Sequence, residues 1–283
     1  MQQSIQSVCV IGAGTMGSGI ALSAAQSGLP VILFDINQAV LDKAITSVQK
    51  NLQFLVDKQK ISAGEKETVF NRIQFISDIH QCKADVIIEA IIEKKEAKVS
   101  VFNQLAAVNS ADTIFASNTS SLSISDIQAH VDHPERVVGM HFFNPAHVMK
   151  LVEVVKGAQT AEAVAQQIYD LCLRLKKTPV MCKDAPGFIV NRVARHYYLE
   201  AMKLVETGVA GIETVDEVME ASGFKMGPFR LMDLIGMDIN LTVSQSLYEA
   251  FDKAERFTPS PLQIDKVAKG ELGKKTGKGF YQY

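Results

Sequence analysis

The sequence predicts an α/β protein: a doubly wound parallel sheet over residues 1–184, followed by a smaller all-helical domain over residues 185–283. Three observations support this fold class. Short apolar runs alternate with helix-like segments through the first two thirds of the chain. A glycine-rich turn joins the first apolar run to a helix. After Asp184 the alternation stops and helix follows helix, a change that indicates a second domain.

The strands of the first domain are predicted from short apolar runs, which suit buried parallel strands. They lie at Val8–Gly12, Val31–Phe34, Asp85–Ala90, Thr113–Ala116, Val137–Phe142, Leu151–Val155 and Pro179–Cys182. The helices between them follow from small residues or a 3.6-residue apolar period. Three of them lie at Met16–Ser27, Leu122–His130 and Ala161–Leu175. A fourth begins after a cap at Asn37 and ends at about Gln59, and a fifth follows the strand Asp85–Ala90 and ends at Val108.

The second domain is predicted to begin after a turn at Asp184–Gly187. Its helices are predicted at Ile189–Glu206, Ile212–Ala221, Pro228–Ala250 and Pro261–Ala268. Asn191 falls in the first turn of the first of these helices. There its amide would either bind a substrate or be an ordinary helix-start residue.

The glycine-rich turn matches the G-x-G-x-x-G pattern of Rossmann-type dinucleotide sites. It comprises Gly12, Gly14, Thr15, Met16 and Gly17, with Ala13 between the first two glycines. Such a turn lets a pyrophosphate approach the backbone and the N-terminus of the following helix. Asp35 ends the second strand, where its carboxylate would bind a ribose and repel a 2′-phosphate. The sequence therefore favours NAD over NADP.

Composition excludes several classes of function. The 283 residues carry a net charge of −2, which argues against nucleic acid as the main partner. The four cysteines show no zinc-ligand spacing, so no metal is expected. Met1–Ser7 lacks the features of a signal peptide, and no apolar run reaches membrane-spanning length. We therefore expect a cytoplasmic protein without a membrane partner.

Two polar features follow buried strands of the first domain. His141 ends one apolar strand and Glu153 interrupts the next, so a return turn would place the carboxylate against the imidazole and leave the other ring nitrogen as a base. The alternative is a core histidine and a glutamate on a solvated strand face. The cluster Ser117–Ser121 would bind a substrate oxygen or simply cap the following helix.

Taken together, these motifs resemble the 3-hydroxyacyl-CoA dehydrogenase family over essentially the whole chain, and its short bacterial members most closely. The resemblance is carried by the glycine-rich turn and by four further segments. These are Ser117–Ser121, His-Phe-Phe-Asn-Pro at 141–145, Lys-Asp-Ala-Pro-Gly-Phe-Ile-Val-Asn-Arg at 183–192 and Gly-Lys-Lys-Thr-Gly-Lys-Gly-Phe-Tyr at 273–281.

The resemblance implies a role for each matching position. His141 would be the general base, Glu153 would orient it, and Ser120 and Asn191 would bind the substrate oxygen. Asp35 would bind the adenosine ribose. Further cofactor-side positions would be Glu93, Lys98, Asn118 and Asn144, with Asn144 also near the substrate. Lys58 would contact the adenosine end of coenzyme A.

The implied reaction is NAD-dependent interconversion of an (S)-3-hydroxyacyl-CoA, 3-hydroxybutanoyl-CoA in particular, and its 3-oxoacyl-CoA. A homodimer is also implied. Two alternatives stay open on the sequence. One is a dehydrogenase of the same fold that acts on a hydroxy acid without coenzyme A. The other is a dinucleotide-binding protein with no catalytic activity.

Overall fold

The structure is a computed structural model that describes residues 5–283. The chain divides into two compact units. One unit ends at Ala185, and the other runs from Pro186 to Tyr283. The sequence prediction divides the chain one residue earlier, after Asp184.

The first unit is built around one mostly parallel sheet. Its strands are β1 Val8–Ile11, β2 Val31–Phe34, β3 Ile73–Ile76, β4 Val86–Glu89, β5 Ile114–Ser117, β6 Val137–Phe142, β7 Leu151–Lys156 and β8 Thr178–Lys183. They lie in the order β3-β2-β1-β4-β5-β6-β7-β8. All neighbours are parallel except β6 and β7. The predicted α/β fold class is therefore confirmed.

Helices pack against this sheet. They are α1 Thr15–Gln26, α2 Gln38–Asp57, α3 Ala63–Phe70, α4 Lys95–Ala106, α5 Ile124–Gln128 and α6 Glu162–Arg174. Neither α3 nor β3 was predicted from the sequence. Val69 is the sole fully buried residue of α3, and Gln74 of β3 is exposed, so both elements lack a continuous apolar signal.

The central strands are buried on both faces, as parallel strands covered by helices must be. Every residue of β1 and β4 is at most 1% exposed. Two strands also approach closely at Gly139 of β6, where a Cβ atom would lie 2.7 Å from Cβ of Val155. This close contact packs β6 tightly against β7, the strand pair that carries His141 and Glu153.

The second unit is helical. Its helices are α7 Val190–Glu206, α8 Ile212–Ala221, α9 Pro228–Ile235, α10 Met237–Ala250 and α11 Pro261–Ala268. The predicted single helix over Pro228–Ala250 is wrong: it is two helices that meet at Gly236. That glycine has φ of +105°, which ends α9 because helical residues have negative φ. The methionines Met202, Met232 and Met237 are fully buried in the core of this unit.

Across residues 5–283, no helix has both the length and the apolar character needed to cross a lipid bilayer.

Candidate active site

The glycine-rich turn follows β1 and leads directly into α1. Gly12 has φ of +96°, and a Cβ there would lie 2.7 Å from the Ala90 carbonyl oxygen. A Cβ at Gly17 would overlap the Gly12 carbonyl, whereas Gly14 has open space beyond its Cα. Packing therefore requires glycine at positions 12 and 17, whereas Gly14 leaves the backbone of the turn accessible to a ligand. This is the pattern that a bound pyrophosphate requires.

The N-terminus of α1 is suited to an anion. Gly14 is the N-cap residue, no side chain caps the helix, and its first turn carries no acidic residue. Gly14 and Thr15 are exposed and Met16 is half-buried. Because the first N–H groups of a helix lack intrahelical acceptors, they and the helix dipole favour a phosphate here.

Replacing Gly17 with alanine is expected to destabilise the first unit by about 1–3 kcal/mol, because the new methyl group overlaps the Gly12 carbonyl. The matched control is Gly14→Ala, which has room and a negative φ. That variant should keep the wild-type melting temperature yet bind NAD more weakly. Thermal unfolding and a NAD titration of both variants would test this. Equal melting temperatures would contradict the packing argument.

Asp35 follows β2 and lies beside the glycine-rich turn. Its Oδ2 accepts a hydrogen bond from the Ala13 amide at 2.9 Å, and its Oδ1 accepts one from the Asn37 amide at 2.9 Å. The carboxylate is thus held at the carboxyl end of the sheet next to the turn. A ribose bound with its pyrophosphate on α1 would reach this position.

Beneath this edge lies a buried ion pair that the sequence reasoning missed. Glu89 ends β4, and Lys98 lies on α4; both side chains are fully buried. The Lys98 ammonium donates to both Glu89 carboxylate oxygens, at 2.7 and 2.8 Å, and the Ser117 hydroxyl donates at 2.7 Å. Burial nevertheless raises the pKa of Glu89. A glutamate inside the apolar run of β4 was the available signal.

The cofactor-side position predicted for Lys98 stays a prediction, and its ammonium contacts two carboxylates. Besides Glu89, it lies 3.1 Å from Oε2 of Glu93. The role that this geometry supports for Lys98 is to hold Glu93 in place. Burial opposes ionisation of Glu93, but Lys98 and the hydrogen bonds from Thr119 and Ser120 outweigh it and lower its pKa.

Glu93 organises the polar turn that follows β5. Its Oε1 accepts from the Thr119 hydroxyl at 2.5 Å, from the Ser120 amide at 2.9 Å and from the Ser121 hydroxyl at 3.1 Å. The predicted residues Glu93 and Ser120 are therefore neighbours. Glu93 is also 35% exposed at its side chain, so it lies at the surface of the site.

Asn118 begins the same turn and connects it to β6. Its amide oxygen accepts a hydrogen bond from the Phe142 N–H at 2.9 Å, and its own N–H donates to the Glu89 carbonyl at 2.8 Å. Asn144 lies two residues beyond Phe142 and is exposed. The cofactor contacts predicted for Asn118 and Asn144 remain predictions.

His141 and Glu153 face each other across the antiparallel pair of β6 and β7. The His141 Nδ1 lies 2.7 Å from the Glu153 Oε2, and the two residues are 6% and 1% exposed. Because an ionised carboxylate can only accept, Nδ1 is the donor in this contact and Oε2 of Glu153 is the acceptor. The structure thus makes the contact that a base and its orienting carboxylate require.

The surroundings of this pair include an inert thiol. Burial, together with the carboxylates of Glu153 and Asp184, raises the pKa of Cys182 to about 12. The thiol is therefore protonated at neutral pH and is a poor nucleophile. Asp184 accepts from the Ser123 hydroxyl at 2.7 Å and the Ser125 amide at 2.8 Å, which ties the end of β8 to α5.

Lys58 and Asn191 are the two remaining residues predicted to bind the substrate. Lys58 is exposed at the C-terminal end of α2, with its ammonium 5.7 Å from the centre of the Phe54 ring. Asn191 is half-buried in the first turn of α7, in the second unit. Their substrate contacts stay predictions. Within the described range 5–283, no three His, Cys, Asp or Glu side chains are grouped to hold a metal ion.

Comparison with known proteins places these motifs in a family. Residues 7–185 match the model described as "3-hydroxyacyl-CoA dehydrogenase, NAD binding domain". Residues 187–283 match the model of the C-terminal domain of the same family. Both matches together cover nearly the whole chain.

Individual proteins that are similar to this chain carry names from the same family. The chain is 47% identical to 3-hydroxyadipyl-CoA dehydrogenase of Escherichia coli; the match covers all of this chain and 60% of that protein. It is 41% identical to a probable 3-hydroxybutyryl-CoA dehydrogenase of Bacillus subtilis, covering 99% of this chain and 98% of the relative. The crystal structure of (S)-3-hydroxybutyryl-CoA dehydrogenase from Ralstonia eutropha superposes with a TM-score of 0.94 at 38% identity, over 99% of both chains.

Proposed function

The chain belongs to the 3-hydroxyacyl-CoA dehydrogenase family, and on that premise we propose that it interconverts an (S)-3-hydroxyacyl-CoA and the corresponding 3-oxoacyl-CoA with NAD. The observation that carries this proposal is the buried 2.7 Å contact between His141 Nδ1 and Glu153 Oε2. The proposed substrate is 3-hydroxybutanoyl-CoA, in keeping with the names of the Bacillus and Ralstonia relatives.

In the proposed reaction His141 moves the proton of the 3-hydroxyl group. Its Nε2 takes this proton in the oxidative direction and returns it in the reductive one. Glu153 keeps the ring oriented and stabilises the imidazolium that forms, because it is a nearly inaccessible anion at hydrogen-bond distance. Ser120 and Asn191 are proposed to bind the substrate oxygen where negative charge develops.

The first unit has the groups that a dinucleotide needs. The open backbone at Gly14 and the uncapped start of α1 would hold the pyrophosphate, and Asp35 would hold the ribose. Glu93, Lys98, Asn118 and Asn144 are proposed to lie on the cofactor side of the site. When bound, NAD supplies the acceptor or donor of the hydride at C3 of the substrate.

The direct test is absorbance of reduced nicotinamide during reaction with acetoacetyl-CoA. Rapid oxidation of NADH, with little oxidation of NADPH, is the expected result. A folded protein that binds NAD but oxidises neither cofactor would contradict the proposal. Turnover of a free 3-oxo acid faster than of its CoA thioester would also contradict it.

The cofactor preference is expected to depend on the charge of Asp35. The Asp35→Asn variant keeps a carbonyl oxygen as acceptor but removes the repulsion of a 2′-phosphate. We expect the ratio of kcat/KM for NADPH to that for NADH to rise about tenfold or more. The matched control is Asp42→Asn, an exposed carboxylate on α2. An unchanged ratio in Asp35→Asn would remove Asp35 from cofactor selection.

We further propose that the protein is a cytoplasmic homodimer. Support comes from apolar side chains exposed on the second unit, which a partner would cover. They include Val193, Val209, Leu234 and Ile239, which are 49–70% exposed. Light scattering should give twice the 30.9 kDa mass of one chain. A monomer at micromolar concentration would contradict the proposal.

A further inference from the structure

The first unit contains a cavity of about 570 Å³ at the far end of α1 from the glycine-rich turn. Its wall comprises the end of α1, the segment from Lys60 through α3, the β6–β7 loop and the α6–β8 loop. Because α1 has 12 residues with a rise of 1.5 Å each, its two ends lie roughly 17 Å apart. The cavity is thus separate from the proposed pyrophosphate position.

The wall of this cavity is strongly basic. Its cationic side chains are Lys60, Arg72, Lys150, Lys176 and Lys177. Glu65 is the single carboxylate in the wall, and its Oε2 already accepts from the Ser62 amide at 2.8 Å and hydroxyl at 2.9 Å. The whole chain carries a net charge of −2, so this local excess of positive charge does not reflect overall composition.

Most of these cations lack protein partners. Lys60, Lys150 and Lys176 are exposed, and within residues 5–283 none of their ammonium groups has a hydrogen-bond or ion-pair partner. Arg72 donates through Nη1 to one acceptor, the Ala25 carbonyl, at 3.1 Å. Ser27 and Thr68 also line the cavity, but their hydroxyls donate to the Ser23 and Gly64 carbonyls, at 3.0 and 2.8 Å. Several donors therefore face the same space without a protein anion to neutralise them.

One lysine of the wall has a different function. Lys177 is 8% exposed, and its ammonium donates to the carbonyls of Ala146 at 2.6 Å and Met149 at 2.9 Å. It therefore holds the β6–β7 loop, which contributes His147 and Lys150 to the cavity. Burial and the Lys177 charge lower the pKa of His147, so its ring is neutral at neutral pH and adds a hydrogen-bonding group.

We propose that this cavity binds a multiply charged phosphate group. Several unpaired cations around one open cavity favour a phosphate anion with more than one charge over a single carboxylate. Two sources have this chemistry. One is the phosphate-bearing end of the acyl-CoA substrate, which rests on the proposed function. The other is a separate phosphorylated small molecule.

Calorimetric titration with inorganic pyrophosphate and with adenosine 3′,5′-bisphosphate tests the site. Saturating NAD is present, so that the glycine-rich turn is occupied. The variant K60Q/K150Q/K176Q removes three exposed charges of the wall, and K43Q/K83Q/K203Q removes three exposed lysines outside it. We expect that, of the two variants, only the wall variant binds both phosphate compounds at least about tenfold more weakly than the wild type. Equal affinity in all three proteins, or no binding by the wild type, would overturn the proposal.

Kinetics with two thioesters identifies the source of the phosphate. If the cavity takes the phosphates of coenzyme A, the wall variant should have about tenfold higher KM for acetoacetyl-CoA. Its KM for acetoacetyl-pantetheine, which lacks those phosphates, should be unchanged. Weaker calorimetric binding without a change in either KM would assign the cavity to a separate ligand. Calorimetry needs no turnover, so failure of the proposed function would leave this test intact.

Discussion

Replacing His141 by alanine is expected to lower kcat by about 10²–10⁴-fold, the usual contribution of a general acid–base group. The dissociation constant for NAD should change little, because His141 is not among the proposed dinucleotide ligands. Stopped-flow turnover and a NAD titration of the same protein sample would measure the two quantities. Turnover close to that of the wild type would remove His141 from the mechanism.

Two further variants make this experiment specific. His130→Ala removes an exposed histidine and should leave kcat unchanged. Glu153→Gln keeps an oxygen that can accept from Nδ1 but removes the charge that stabilises the imidazolium. Its kcat should fall while NAD still binds. Wild-type kcat in Glu153→Gln would show that Glu153 only orients the ring.

Lys98→Met is expected to lower the free energy of unfolding by about 3–5 kcal/mol, because it leaves the buried Glu89 carboxylate without its cation. Both side chains of this pair are fully inaccessible to solvent, so water cannot replace the lost contact. The same substitution also removes the cation beside Glu93. Urea unfolding followed by circular dichroism would measure the change.

The matched control lies four residues earlier in the chain. Lys94 is exposed at the N-cap of α4, so Lys94→Met should change stability by less than about 0.5 kcal/mol. The double variant Glu89→Gln/Lys98→Met should recover much of the loss, because no unpaired buried charge remains. A loss below about 1 kcal/mol in Lys98→Met would mean that Glu89 is uncharged when Lys98 is absent.

The site could be predicted where its residues belong to a local motif. Gly12, Gly14 and Gly17 are close in sequence and require one particular turn. The contact between His141 and Glu153 could be proposed from the sequence, since an antiparallel return brings two residues twelve positions apart together. The alternative of a core histidine could not be rejected, because it depends on which residues face each other. The register of β6 and β7 places the two residues opposite each other, and the catalytic role of His141 stays a prediction.

The role of Lys98 shows what local patterns cannot determine. The family resemblance placed Lys98 on the cofactor side but gave no indication that its side chain is buried. Its side chain is fully buried against the Glu89 carboxylate at the end of β4, nine residues earlier in the chain. Likewise, α3 and β3 lack a strong apolar pattern and are stabilised by neighbours that are distant in sequence.

The sequence by itself determined the alternation of strands and helices, the glycine-rich turn and the identity of the candidate catalytic side chains. The first two features depend on residues that are near one another along the chain, whereas the candidate catalytic side chains follow from a family resemblance over the whole chain. Tertiary structure alone decided the pairing of His141 with Glu153, the burial of Lys98 against Glu89 and the convergence of lysines around the cavity. Each of these needs segments that meet only after the sheet and its helices have assembled.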